Sequence, residues 1–216
     1  MKKLHGVTVA LVNPMDRETE QIDHEKLEQL VKGLLKSGIH CIYCNGTDGE
    51  MYHLTTDERK KIAETVVKAA DGQVGIKYNY PDINQTIDYL NVNNGDFSVL
   101  QGDDRAVPAW LALGCSGTVA GSANVFPEPL IASYNAFKDG DIEKATQQGK
   151  VAAAIIDALQ NDSIAYFKAG LKIRGFDIGT MRKPLLELDN EQMKELKSQI
   201  EEICNKNNIT LKLENM

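Results

Sequence analysis

The sequence predicts an α/β fold: a parallel sheet of about five strands alternating with helices, followed by a C-terminal helical region. Three observations predict it. Short β-branched apolar runs end at turn residues, amphipathic stripes lie between them, and only helical patterns appear from Asp141 onward. Because the runs are apolar throughout rather than alternating, both faces of each strand are expected to be covered, as in parallel sheets.

Gly6-Val7-Thr8-Val9-Ala10-Leu11-Val12 is β-branched and stops at Asn13-Pro14, which suits a first strand. Asp23 can cap a helix with Leu27, Leu30, Val31, Leu34 and Leu35 on one stripe, ending at Ser37-Gly38. Cys41 to Cys44 reads as strand two. Thr55 and Glu58 form a capping box opening a helix through Ile62, Val66 and Val67 to Gly72. Val74 to Lys77 reads as strand three and Asp82 to Leu90 as a helix. Phe97 to Leu100 is a strand leading through Gly102-Asp103-Asp104 into an apolar helix with Trp110 and Leu113. Cys115 to Ala120 is a strand leading through Gly121 to Asn124 into a helix after Pro127. A second capping box at Asp189 and Gln192 precedes Met193, Leu196, Ile200 and Ile203, and Ala152-Ala153-Ala154 marks a close helix contact.

The chain has 216 residues, 42% apolar and 25% charged, enough for one sizeable core. The βα repeat is expected over 1–138, with a helical region over 139–216 packed on it. A net charge of −7 without a basic cluster argues against nucleic acid and anionic membranes as partners. The segment Met1 to Gly6 lacks the apolar run of a signal peptide and no later run reaches a membrane span, so a cytoplasmic protein is expected. Cys41 and Cys44 lie three apart on a strand and point to opposite faces, so Cys41, Cys44, Cys115 and Cys204 are read as reduced and mostly buried. His5, His24, His40 and His53 form no ligand spacing, and His53 is read as a surface residue.

Sites in parallel α/β folds form beyond the C-terminal ends of strands. Strand two runs into Asn45-Gly46-Thr47-Asp48-Gly49-Glu50, where two glycines bracket a hydroxyl and a carboxylate. That turn is either an anion cradle or an ordinary βα connection. Lys77 closes an apolar strand. Its amine either snorkels to solvent or has the lowered pKa that an imine-forming lysine needs.

Taken together these residues resemble the class I aldolase family of dihydrodipicolinate synthase and N-acetylneuraminate lyase. Asn45 to Met51 with Leu54-Thr55 and Glu58-Arg59 resembles its G-T-T-G-E…L-[ST]-x-x-E segment, and Val74 to Lys77 with Asp82 resembles its imine-lysine strand. Leu100 to Asp104 resembles its S-G-D-D turn, and Gly114 to Val119 with Ala123-Asn124-Val125 resembles its last barrel strand. Lys172 to Gly179 with Arg182 and Pro184 resembles its C-terminal helical tail.

The resemblance implies a (β/α)8-derived barrel shortened to about five strands. It further implies Lys77 as imine nucleophile, Gly46 and Thr47 as a carboxylate-binding turn, and Gly102, Asp103 and the Val119 backbone lining a 2-keto-acid pocket. The implied reaction is reversible aldol addition or cleavage on pyruvate or a 2-keto-3-deoxy acid, needing neither metal nor organic cofactor. Asp48 stands where the family has Thr or Ser, and would repel a substrate carboxylate unless turned away. Barrels of this kind run to about 250 residues, and the shortage is local: strands three to five with their helices are expected to be missing between Gly72 and Val74. With them goes the family's proton-relaying tyrosine. Tyr78-Asn79-Tyr80-Pro81 looks like its motif but directly follows Lys77. The competing expectation is a catalytically impaired scaffold kept for assembly or small-acid binding. Because five strands cannot close as eight do, a homo-oligomer is expected.

Overall fold

The β-branched run after Gly6 forms β1 (Gly6–Ala10), whose five residues are all buried, which explains the missing alternation. The computed structural model describes residues 4–70, 83–91, 94, 98–161 and 163–212. Within them β1 is followed by α1 (His24–Lys36), β2 (Cys41–Tyr43), α2 (Thr56–Ala69) and α3 (Ile83–Leu90). Then come β3 (Leu100–Gln101), α4 (Val107–Leu113), β4 (Gly117–Ala120), α5 (Pro127–Lys138), α6 (Ile142–Ala158), α7 (Ile164–Ile173) and α8 (Asn190–Asn207). The sheet is parallel, with strand order β2-β1-β4-β3. Thr8 stands level with Cys41 and Val119, and Ala10 with Tyr43.

Local signals produced their elements for local reasons. Asp23 accepts the Lys26 amide at 3.0 Å, and the buried stripe of α1 is Leu27, Leu30, Val31 and Leu34. Thr55 with Glu58 and Asp189 with Gln192 each close a capping box. The four cysteines are free thiols; Cys41, Cys115 and Cys204 are buried and Cys44 is half-buried. One apolar cluster runs from Val7, Val9 and Leu11 on the helix side of the sheet through α1, α5 and α6 to Ile200 and Cys204 on α8. Ala152 belongs to it. On the other face Ala10, Leu100 and Val119 form a separate cluster packed by Leu4 and Tyr43.

Several boundaries differ from expectation. The first strand stops at Ala10 because Leu11 still donates to the Tyr43 carbonyl at 2.9 Å but Val12 donates to the Asn124 side chain at 3.2 Å. The third described strand is shifted to Leu100–Gln101, although the Val99 carbonyl already accepts the Ser116 amide at 2.8 Å. Phe97 and the expected strand Val74 to Lys77 lie outside the described residues, as does Asp82 ahead of α3. The chain beyond Asp141 is not helical throughout. After α7, residues 174–189 form an irregular strap, because Gly175 and Gly179 take φ of +98° and +85°. At Gly179 a side chain is excluded by the Met15 carbonyl oxygen, 1.6 Å from where a Cβ would stand.

Candidate active site

Beyond the C-terminal ends of the four strands, the connecting loops are laced to one another by buried side chains. Asn124, fully buried, accepts from the Val12 amide and donates to the carbonyls of Ala10 at 2.6 Å and Gly121 at 2.8 Å. It thereby ties the end of β1 to the loop after β4. Asn13 donates to the Gly49 carbonyl at 2.6 Å, tying β1 to the loop after β2. Its Oδ1 is buried without a partner among the described residues. Ser122 donates to Asp104 Oδ2 at 2.5 Å, tying the loops after β3 and β4.

The glycine-bracketed turn after β2 is compact. Asn45 enters it and Glu50 leaves it in left-handed conformations, φ 57° and 58°. The Gly46 carbonyl accepts the Gly49 and Met51 amides, and the Thr47 carbonyl accepts the Glu50 amide. Gly46 is needed sterically: a Cβ there would stand 2.5 Å from the Tyr43 ring. Gly46 is buried and Thr47 exposed, so the hydroxyl faces outward at the end of the strand. Asp48 is buried, and its Oδ2 lies 2.5 Å from where a Gly121 Cβ would stand, beside the Phe167 ring of α7. Its carboxyl thus lies at the contact between the β2 and β4 loops and α7.

The other anticipated residues are placed as follows. Val119 lies on the inner face with Ala10 and Leu100. The Gly102 amide donates to the Gln101 side chain at 2.7 Å. The Asp103 carboxyl caps the short 3₁₀ turn Asp104–Ala106 by accepting the Arg105 amide at 3.2 Å, and it accepts Trp110 Nε1 at 3.3 Å. Lys77, Tyr78 and Tyr80 lie outside the described residues.

A second layer of charge lies behind the turn. The Glu50 side chain is fully buried; Oε1 lies 2.6 Å from Lys168 Nζ, an ion contact rather than an aligned hydrogen bond, and Oε2 accepts the Arg182 amide at 2.9 Å. Burial lowers the Lys168 pKa, an effect opposed by the Glu50 charge. Arg182 forks onto Glu58 at 2.7 and 3.0 Å, holding that carboxyl down at about 2. It also donates to the carbonyls of Glu20 and His53, so His53 is half-buried under the strap rather than a surface residue.

Sequence reasoning missed Asn13, Asn124, Lys168 and the half-buried Tyr43 ring against Gly46. The asparagines stand directly after strand ends, a placement that could have marked them; Lys168 lies on an ordinary helix and carries no local mark. Among the described residues no group of three or more His, Cys, Asp or Glu is arranged to hold a metal ion. No described helix is long and apolar enough to cross a membrane.

The model of the Dihydrodipicolinate synthetase family matches residues 3–76 and 74–203. The two stretches meet where the sequence places the missing βα units. An uncharacterized DapA-like lyase of Halobacterium salinarum is 29% identical over 160 residues, covering 71% of this chain and 51% of the relative. A 4-hydroxy-tetrahydrodipicolinate synthase of Methanosphaerula palustris is 35% identical over 121 residues, covering 55% of this chain and 42% of the relative. The chain thus spans about half the length of these curated relatives. Among solved structures, Proteus mirabilis N-acetylneuraminate lyase superposes with a TM-score of 0.84 at 20% identity, covering 94% of this chain and 99% of that one. A Thermotoga maritima dihydrodipicolinate synthase gives 0.82 at 19% identity, covering 94% and 99%. At such identities the superpositions establish the fold, a shortened relative of these barrels.

Proposed function

The chain belongs to the dihydrodipicolinate synthetase family, and from that premise we propose that it is a lyase- or aldolase-type protein whose Lys77 forms a Schiff base with pyruvate or a 2-keto-3-deoxy acid. The observation that carries this reading is the turn Gly46-Thr47-Asp48, in the family's motif order, fastened at the C-terminal end of β2 beside the inner layer of Ala10 and Val119. In this reading Gly46 and Thr47 receive the substrate carboxylate, while Gly102, Asp103 and the Val119 backbone line the keto-acid pocket. Asp48 has its Oδ2 against Gly121 rather than out with the exposed Thr47.

The neutral Lys77 amine attacks the keto carbon, the carbinolamine loses water, and the resulting iminium accepts the electron pair released when a C–H or C–C bond next to it breaks. Imine formation asks only for the lysine and a held carboxylate. Turnover asks in addition for a positioned proton carrier, and the family's tyrosine falls in the missing segment. Removing one positioned acid or base costs about 10²–10⁴-fold, so adduct formation is expected to outlast turnover.

Pyruvate with borohydride, followed by intact mass and peptide mapping, tests the reading. The expected result is one reduced adduct on Lys77, abolished in Lys77→Ala, with weak or absent aldol turnover. No adduct at high pyruvate would support the second reading, a scaffold kept for assembly or small-acid binding, which the splitting of the family match into two stretches that overlap at residues 74–76 favours.

A further inference from the structure

Glu50 occupies a conformation that a non-glycine residue rarely takes, φ 58°, at the point where the Gly46–Asp48 turn closes. Its own amide bonds Thr47 at 2.9 Å and its carbonyl accepts His53 at 2.8 Å, so the backbone of Glu50 sets the exit of the turn. Its carboxylate is wholly buried and both oxygens are engaged by the C-terminal region: one by Lys168 of α7 at 2.6 Å, the other by the Arg182 amide at 2.9 Å. Lys168 is in turn held by the Thr180 carbonyl at 2.6 Å, and Arg182 by Glu58 of the capping box that begins α2. The turn is therefore gripped between α7 and the strap.

A buried ion pair seldom adds net stability, because desolvating two charges offsets their attraction. What it does supply is one geometry, since any displacement leaves a charge buried and unmatched. We propose that the Glu50–Lys168 pair is a positioning device: through it the C-terminal helical region holds the Gly46–Asp48 turn in the shape that receives the substrate carboxylate. The carboxylate role of that turn rests on the function proposed above; the positioning of the turn does not.

Two measurements on the 216-residue chain test it. Hydrogen exchange followed by mass spectrometry reads the Gly49, Glu50 and Met51 amides, all bonded within the turn. Borohydride trapping across a pyruvate series reads the concentration for half-maximal adduct separately from the maximal yield. In Lys168→Met, exchange over residues 45–54 is expected to accelerate about tenfold with α1 and β1 unchanged, and half-maximal trapping to need about tenfold more pyruvate at unchanged maximal yield. Lys168→Arg, which keeps the charge, is expected to recover part of both. A folded Lys168→Met with wild-type exchange in 45–54 overturns the positioning. Accelerated exchange with unchanged half-maximal trapping overturns the carboxylate role alone. If wild type forms no adduct, the pyruvate reading fails and exchange alone decides the positioning. Should Lys168→Met not fold, Glu50→Gln, whose single amide oxygen can accept from only one of the two donors, Lys168 Nζ and the Arg182 amide, is read the same way; wild-type exchange in it overturns the proposal.

Discussion

At the scale of single residues, Asn124 joins the end of β1 to the loop after β4. Its amide satisfies the Val12 N–H and the carbonyls of Ala10 and Gly121, all buried in the junction of β1 and the β4 loop. Truncation takes their side-chain partner from the Val12 amide and the Ala10 carbonyl, while the Gly121 carbonyl keeps the Asn124 backbone amide at 3.0 Å, and a stranded buried group costs about 1–3 kcal/mol. Partial relaxation and water entry reduce the sum, so Asn124→Ala is expected to lose about 3 kcal/mol in urea unfolding followed by circular dichroism. A loss below about 1 kcal/mol would mean that the junction reforms without the side chain. The partners of Asn124 other than Gly121 lie more than a hundred positions away in sequence. Nothing local could have revealed them. Thr55 with Glu58 and Asp189 with Gln192 were legible for the opposite reason, since each box is complete within one helical turn.

At the scale of elements, the start of α2 is joined to the strap by Glu58. Its carboxyl accepts the Thr55 amide and hydroxyl at 2.8 and 2.9 Å while forking with Arg182. The Arg182 hydrogen bonds are the largest cause of a carboxyl pKa near 2, against an ordinary value of 4.5. A folded-state pKa below the unfolded one means that Glu58 stabilises the fold fully above pH 4.5, and that this contribution fades as pH falls from 4.5 toward 2. Wild type is therefore expected to lose stability more steeply across that window than Glu58→Gln, which has no proton to take up. Parallel acid titrations of the unfolding midpoint check this, and identical slopes would show that the fork does not survive in solution. The capping half of Glu58 was readable from sequence, whereas the Arg182 half depends on the irregular strap. That strap was expected as helical tail. The resemblance of Lys172 to Gly179 with Arg182 and Pro184 to the family's C-terminal helical tail suggested it, but Gly175 and Gly179 at positive φ end the helix and lead the chain across Met15 to the site.

At the scale of the whole molecule, the strand order β2-β1-β4-β3 places β2 and β3 at the ends of the described sheet, each with one strand partner among the described residues. Four short parallel strands, or five with Val74 to Lys77, enclose too little interior to close as an eight-stranded barrel does. Apolar surface is also left outside. Ile83 and Ile142 are 57% and 53% exposed, and a groove of about 730 Å³ between α4, α5 and α6 is lined by Pro108, Ala109, Ala112, Phe137 and Ile142. A small parallel fold whose described sheet ends at β2 and β3 and which exposes isoleucines lowers its free energy by pairing edges or covering apolar faces with a second copy. Light scattering after size exclusion is therefore expected to give a mass at least twice 23.8 kDa at low micromolar concentration. Ile83→Lys and Ile142→Lys introduce a charge on separate faces, so whichever shifts the mass downward identifies the covered one. A stable, monodisperse particle of 23.8 kDa would rule assembly out and require the chain to satisfy its own edges.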